Sequence, residues 1–379
     1  MTAVGRATLA ARVLIALVGL IIGYTAIVSM GVTLLVAAAV AVVLAGRQTD
    51  LEVSRRIIPE RVTADSEAIS ELTITNTGRK PFGSSVARER IAGRFATVPL
   101  SGLEPGETVT VRHELPTNRR GVFEVGPLVV PRGDPIGLAR RGAIGDDVGQ
   151  LIVHPSTHEI VPFVARRRRD LEGAPSGEAA AGGITFANLR EYVPGDDVRL
   201  VHWKTSARTD QLLVRHNIDV HRPRTCVVLD TKASQYKGDA FEDAVRVAAS
   251  IVVAAIRRRF PYLVRTTDGA SIQEPAPMLA VLDFFAALSL TDEPASSLGG
   301  AAFEATRGNA GLSCAVVTGR AAVEDLQALG PLRTRFEQMS IIRVGTGEGA
   351  EVHELSGATL INTATSGHFA QAWNRRMRG

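Results

Sequence analysis

Cysteine is scarce in this chain, with Cys226 and Cys314 the only two among 379 residues, which excludes a disulfide framework and the clustered spacings of zinc sites. Each lies in an apolar run that reads as a buried strand, so both are expected to be inert core thiols suited to a reducing compartment. Charge of either sign is missing from Val13 to Gly46, a run of 34 residues. Net charge is also nearly missing from the rest: without Arg6, Arg12 and Arg47 the formal +4 falls to +1 for residues 48–379. A part so close to neutral has no general electrostatic attraction to nucleic acid. Hydrophobic residues nevertheless make up 45% of the chain, enough for real cores, and the length exceeds that of one compact domain.

As one helix the uncharged run would be about 50 Å long against a hydrocarbon core of about 30 Å. Two helices turning near Ser29-Met30-Gly31 fit better, with Ala7–Ala11 extending the first leg. A cleaved signal peptide or one tilted span are the competing readings. Arg6 and Arg12 on one side and Arg47, Arg55 and Arg56 on the other place both flanks on the positive-inside side. Residues 1–47 are therefore expected to be a two-helix membrane anchor, contacting lipid through residues 7–46, with the soluble part facing the cytoplasm.

Residues 48–165 read as short strands, among them Leu51–Val53, Ile69–Thr75, Thr108–Leu115 and Val122–Val130. Turn signals such as Asn76-Thr77-Gly78 and Glu104-Pro105-Gly106-Glu107 separate them, and the pattern predicts an immunoglobulin-like β-sandwich. Residues 166–185, beginning with four arginines and continuing rich in Ala, Gly and Ser, read as a mobile linker able to touch anionic head groups or simply stay solvated.

The densest collection of functional side chains lies in residues 186–221. Arg190, Glu191 and Tyr192 precede the turn Pro194-Gly195-Asp196-Asp197, and Arg199, Trp203, Lys204, Ser206 and Arg208 follow it. The carboxylates and arginines can form a buried ion-pair network, or a site for an acidic or phosphorylated small molecule held by Arg190, Arg199, Lys204 and Arg208. Trp203 reads most simply as a core anchor. His202, His216 and His221 follow no compact ligand spacing, and Ser206 lacks the strand-turn-helix setting of an activated nucleophile.

The pattern from Arg190 to Arg208 resembles the signature of the bacterial family catalogued as domain of unknown function fifty-eight. That resemblance implies a membrane-anchored protein encoded beside a MoxR-type AAA+ ATPase, with a von Willebrand factor A-like domain after the signature.

Residues 222–379 alternate strands and helices, including strands at Thr225–Leu229, Tyr262–Thr266, Ser313–Val317, Ile341–Val344 and Thr359–Asn362. Helices are expected at Ala240–Arg259, Met278–Leu288, Ala321–Phe336 and from Gly367 onward, which predicts an open, mostly parallel α/β sheet. The von Willebrand A resemblance implies an Asp-x-Ser-x-Ser metal motif after the first strand. Here Asp230 and Ser234 remain while Lys232 replaces the middle serine, and Val317-Thr318-Gly319-Arg320 carries no carboxylate. An ammonium opposes a divalent cation, so neither metal nor cofactor is expected. Taken together, these features imply an adaptor or scaffold working with a MoxR-type ATPase in assembly or activation of other proteins. The alternative is an enzyme or binding protein using the Arg190–Arg208 cluster.

Overall fold

In the computed structural model, the residues described are 14, 17–45, 51–130, 132–133, 140–141, 147–163, 185–193, 201–209, 211–218, 224–307, 312–355 and 358–378. They fall into two compact units, Met1–Ser156 and Thr157–Gly379.

Residues 17–22 are helical and a second helix runs Thr25–Ala45. The break falls at Gly23-Tyr24, not at the expected Ser29-Met30-Gly31, which lies inside the second helix. Gly23 supplies the left-handed φ of +72°, and Tyr24 N–H donates back to Gly19 C=O at 3.1 Å, the closure that ends a helix. Gly19 must itself lack a Cβ, because one would lie 2.8 Å from Val28 N. Leu20, Ile21, Ile22, Met30, Val32 and Val36 are all exposed. Among the described residues no helix is long and apolar enough to cross a membrane; side chains of residues 37–45 lie outside that description.

The rest of the first unit is a β-sandwich. One sheet has the order β1 (Leu51–Ile58), β3 (Ile69–Asn76), β6 (Thr108–Glu114). The other contains β2 (Arg61–Thr63), β10 (Gly149–His154), β7 (Gly121–Val129), β4 (Ser85–Ile91) and β5 (Arg94–Leu100), in that order. Two two-residue strands, β8 (Arg132–Gly133) and β9 (Arg140–Arg141), pair apart from these sheets. Both turn readings hold: Asn76 Oδ1 accepts from Gly78 N at 3.0 Å, and Glu107 N donates to Glu104 C=O at 3.0 Å around Gly106, whose φ is +82°.

Every second residue of these strands points between the sheets, and mid-strand that inward row turns polar. Arg55 sits between Val53 and Ile57, Ser70 between Ala68 and Leu72, Glu89 between Ala87 and Ile91, and His113 between Val111 and Leu115. This rung divides the sandwich core into two apolar clusters. Arg55 had been read as a membrane-flanking charge. Its side chain is instead 1% exposed, with Nε 2.9 Å and Nη2 2.8 Å from Glu89 Oε1. Glu89 Oε2 meets His113 Nε2, and Ser70 Oγ lies 3.5 Å from Oε1. Arg55 Nη1 also donates to Asp147 C=O, and Arg55 N to Asp147 Oδ2 at 2.7 Å. Two glycines make room for the guanidinium, since a Cβ on Gly126 would stand 2.5 Å from Arg55 Nη1 and one on Gly149 3.2 Å from Arg55 Cδ.

In the second unit, β11 (Thr185–Glu191) and β12 (Leu213–Ile218) form an antiparallel pair. A seven-stranded sheet follows, made of β13 (Arg224–Leu229), β14 (Tyr262–Thr266), β15 (Ser271–Gln273), β16 (Leu312–Thr318), β17 (Gln338–Val344), β18 (Ala350–Leu355) and β19 (Ala358–Thr363). Its order is β15-β14-β13-β16-β17-β19-β18, with both edge strands antiparallel and the five between them parallel. Val227 and Leu229 face one apolar cluster and Cys226 and Val228 the other, so the sheet is covered on both faces, and Cys226 pairs in register with Cys314. The helix expected over Ala321–Phe336 is instead two short pieces, Val323–Gln327 and the 3-10 turn Gly330–Arg335, because Pro331 cannot continue an α-helix. The helix Leu298–Thr306 went unread because Gly299-Gly300 weakens its helical signal; Ser297 starts it by accepting from Gly300 N at 3.1 Å.

Residues 157–163, read from sequence with the sandwich, are strapped to this second unit. Trp373 Nε1 donates to Val161 C=O at 2.8 Å, Val161 N donates to Asn374 Oδ1 at 2.8 Å, and Phe163 packs against Trp373 with centroids 5.2 Å apart and the rings tilted by 60°. Higher on the strap, Ser366 Oγ donates to Asp243 Oδ1 at 2.7 Å, which leaves it to accept from His158 Nε2 at 2.9 Å. Burial, with Arg246 nearby, holds the His158 pKa below its ordinary value against the opposing pull of Asp243.

Candidate functional site

Two places carry the side chains singled out by sequence. In the first, β11 brings up Arg190 and Glu191, paired across the ladder with Val214 and Leu213. Tyr192 N donates to Leu212 C=O at 2.8 Å. Gly195, Asp196, Asp197 and Arg199 lie outside the described residues, as does His221. The chain re-enters at Val201, bridged to Val214, and forms the helix Trp203–Thr209.

His202 fixes the start of that helix. Its Nδ1 accepts from Thr205 N at 3.2 Å and lies 2.8 Å from Thr205 Oγ1, so the imidazole caps the helix start as Ser or Asp commonly does. Ser206, buried on the same short helix, accepts from Leu213 N at 2.9 Å and fastens helix to strand. Its hydroxyl is thereby engaged in a structural bond. Trp203 does not anchor a core. It is 64% exposed, at the first position of the helix. Lys204 and Arg208 are exposed beside it, and Val193 and Leu212 are exposed at the neighbouring strand ends. Chemistry is thus turned inward and used for support, while the indole and the cations face out.

The second place is the carboxyl edge of the parallel sheet, where β13 and β16 lie side by side although β14 separates them in the chain. Open α/β sheets bind ligands at such a reversal. Asp230 is 4% exposed there. Its Oδ2 accepts from Thr318 Oγ1 at 2.8 Å, and its Oδ1 from Lys232 N at 3.1 Å and Thr267 Oγ1 at 3.3 Å. Thr267 also receives Thr231 N at 2.9 Å, and Tyr236 Oη donates to Asp230 C=O at 2.6 Å. Ser234 is exposed on the 3-10 turn Ala233–Gln235. Gly319 is obligatory here, since a Cβ would lie 2.1 Å from Gln235 C=O. Sequence reasoning missed Thr267 and Thr318; their position directly at or after strand ends was the available signal. Hard oxygen donors are present, but both oxygens of Asp230 are already hydrogen-bonded within the protein, and among the described residues no group of His, Cys, Asp and Glu is placed to hold a metal.

Burial raises the Asp230 pKa, with the Asp325 charge adding to it and the three hydrogen bonds opposing. A carboxyl whose folded pKa lies above its unfolded value costs the fold stability while ionised, and that cost fades as pH falls through the folded pKa. Asp230→Asn is therefore expected to melt above the wild type at neutral pH, with the gap closing as pH falls into the mildly acid range. Thermal melts of both proteins across that range test it; a gap that widens on acidification would show that the carboxylate's hydrogen bonds outweigh its desolvation.

Residues 48–130 match the family model CARDB. Among solved structures, the chain is similar to the CARDB domain of a Pyrococcus furiosus protein, with 18% identity, TM-score 0.22, and coverage of 27% of this chain and 92% of that one. A domain of a putative cell surface protein from Methanosarcina acetivorans gives 18% identity and TM-score 0.22 over 30% of this chain and 98% of that one. The uncharacterized protein YeaD of Bacillus subtilis is 28% identical over 153 residues, which are 40% of this chain and 37% of YeaD. The chain therefore spans little more than a third of that relative's length. Residues 188–260, from β11 through β13 and into the helix that follows it, match the model described as "Protein of unknown function DUF58", and with YeaD they support that family for this stretch.

Proposed function

We propose that the protein is a membrane-anchored adaptor whose signature helix presents a surface to a MoxR-type AAA+ ATPase. The observation behind this reading is the division of labour on Trp203–Thr209, where His202 and Ser206 fix the helix while Trp203, Lys204 and Arg208 face outward. Tryptophan and arginine are the residues most enriched at interface hot spots. Anchoring rests on the uncharged Val13–Gly46 run and the exposed apolar side chains of residues 14–36, and it carries the expectation that the soluble units face the cytoplasm. The α/β unit is read as von Willebrand A-like from the parallel sheet and Asp230-x-Lys232-x-Ser234.

Full-length protein in mild detergent is expected to bind the purified MoxR-type ATPase of its own host, and Trp203→Ala with Arg208→Ala to weaken that binding at least tenfold, as loss of two hot-spot side chains would. The double variant should melt like the wild type, since neither side chain is buried. Unchanged affinity in the double variant would remove the signature from the interface. The second reading, capture of an acidic small molecule by Arg190, Arg199, Lys204 and Arg208, would gain if inorganic phosphate or a phosphorylated metabolite stabilised the wild type but not Arg208→Ala.

A further inference from the structure

The α/β unit is electrically two-ended. Parallel strands bring all helix ends to one of two edges, and at the carboxyl edge the acids Asp230, Asp239, Glu242, Asp268 and Asp325 outnumber the cations Lys232, Lys237 and Arg320. The amino-terminal edge carries Glu274 and Glu337 but more arginines. The helix Ala240–Arg257 ends there in Arg257, Arg258 and Arg259, all exposed, just before β14, whose approach is tied to β13 by Thr225 N donating to Pro261 C=O at 2.9 Å. The last helix, Ser366–Arg378, ends at the same edge, since Arg376 Nη2 donates to Thr359 Oγ1 at 3.0 Å, one residue into β19. Arg375 and Arg378 flank that contact and are exposed. On the opposite face Arg335 lies over the Phe303 ring, 4.9 Å from its centroid.

Helix dipoles explain part of this, because a cation in the last turn offsets the exposed carbonyls, but that effect fades within one turn. Arg258 and Arg259 lie past the helix end. Among the described residues, Arg257, Arg258, Arg259, Arg375 and Arg378 form no ion pair. All but four of the 43 Lys and Arg residues in the chain are arginine, the side chain whose planar fork matches phosphate oxygens.

We propose that this amino-terminal edge is a docking surface for an anionic lipid leaflet, held by arginine–phosphate contacts. It rests on the membrane reading above, because the same chain carries the exposed apolar side chains of residues 17–36, and charge complementarity then names the leaflet's head groups as the occupant. Nucleic acid fits less well, since among the described residues no row of exposed aromatic side chains accompanies the arginines to stack bases.

The test uses the full chain mixed with vesicles of phosphatidylcholine alone or with phosphatidylglycerol, carrying a head-group spin label. A dye is attached through Thr334→Cys at the basic edge, or through Ser234→Cys at the acidic edge; Cys226 and Cys314 are buried and do not compete. Stronger quenching of the Thr334 dye in anionic than in neutral vesicles is expected, abolished by high salt and by joint Arg257→Gln, Arg258→Gln and Arg259→Gln, with the Ser234 dye indifferent to composition. Co-flotation with both vesicle types but equal quenching would overturn the basic-edge proposal and leave the anchor standing. Flotation with anionic vesicles alone would support the edge and sink the anchor; flotation with neither would sink both. Arginine-dependent binding of duplex DNA, with no effect of lipid composition, would also overturn the proposal.

Discussion

Replacing Glu89 with alanine is expected to lower the melting temperature of the sandwich by about 12–40 °C, the largest single effect we foresee. Glu89 is wholly buried and answers both Arg55 and His113. Without it the Arg55 guanidinium, 1% exposed, stays in the core with only the Asp147 carbonyl opposite, and stranding a buried charge costs about 3–5 kcal/mol. For a domain of this size each kilocalorie moves the midpoint by roughly 4–8 °C. The network need not be favourable compared with an apolar core, because desolvating charges consumes much of what their pairing returns. Arg55→Met combined with Glu89→Leu should therefore recover most of the loss. Scanning calorimetry of the full chain decides it: a Glu89→Ala protein melting as the wild type does would mean the guanidinium finds water on its own.

Trp373→Ala should be nearly as damaging, and in the other unit. The indole is fully buried, packed between the tilted rings of Phe163 and Phe369, with its N–H on Val161. Truncating a core aromatic costs about 3–5 kcal/mol, and here it also frees the strap, since the Val161 carbonyl and the Phe163 ring both lose their partner. Trp373→Phe separates the two consequences by keeping most of the volume and deleting only the hydrogen bond, for which about 1 kcal/mol is expected. Protease cleavage between residues 157 and 163 should appear in Trp373→Ala before the second unit melts. If the strap stays protected until global unfolding, Phe163 and Ile160 hold it without the tryptophan.

The fold was legible where periodicity was strong. Strand Thr225–Leu229 has the unbroken apolar run Cys226–Leu229, Tyr262–Thr266 opens on three apolar residues, and the helix from Ala240 keeps one apolar face over five turns, so each was placed within a residue or two. It failed where a local rule was broken for a distant reason. β4 reads Ser-Val-Ala-Arg-Glu-Arg-Ile, which looks like a charged loop until Glu89 is seen to face Arg55 across the sandwich. Arg55 likewise follows Arg47 and precedes Arg56, and sequence proximity alone made it a membrane flank. In the signature the residue types were right but their directions were not: Trp203 points out, and His202 serves its own helix. Whether a side chain works as a cap, an anchor or an exposed contact depends on a backbone turn that composition does not determine.

The polar rung of the sandwich also acts as a key for strand order. Antiparallel strands of alternating pattern can slide by two residues and keep every apolar side chain inward. In β4 such a slide brings Ala87 or Ile91 to the place of Glu89, and in β1 it carries Arg55 away from Gly126 and Gly149, the two positions where its head fits. Mispaired sheets of this chain would therefore hold a lone guanidinium against methyl groups, so a misfolded register that hydrophobicity alone would tolerate is rejected by charge.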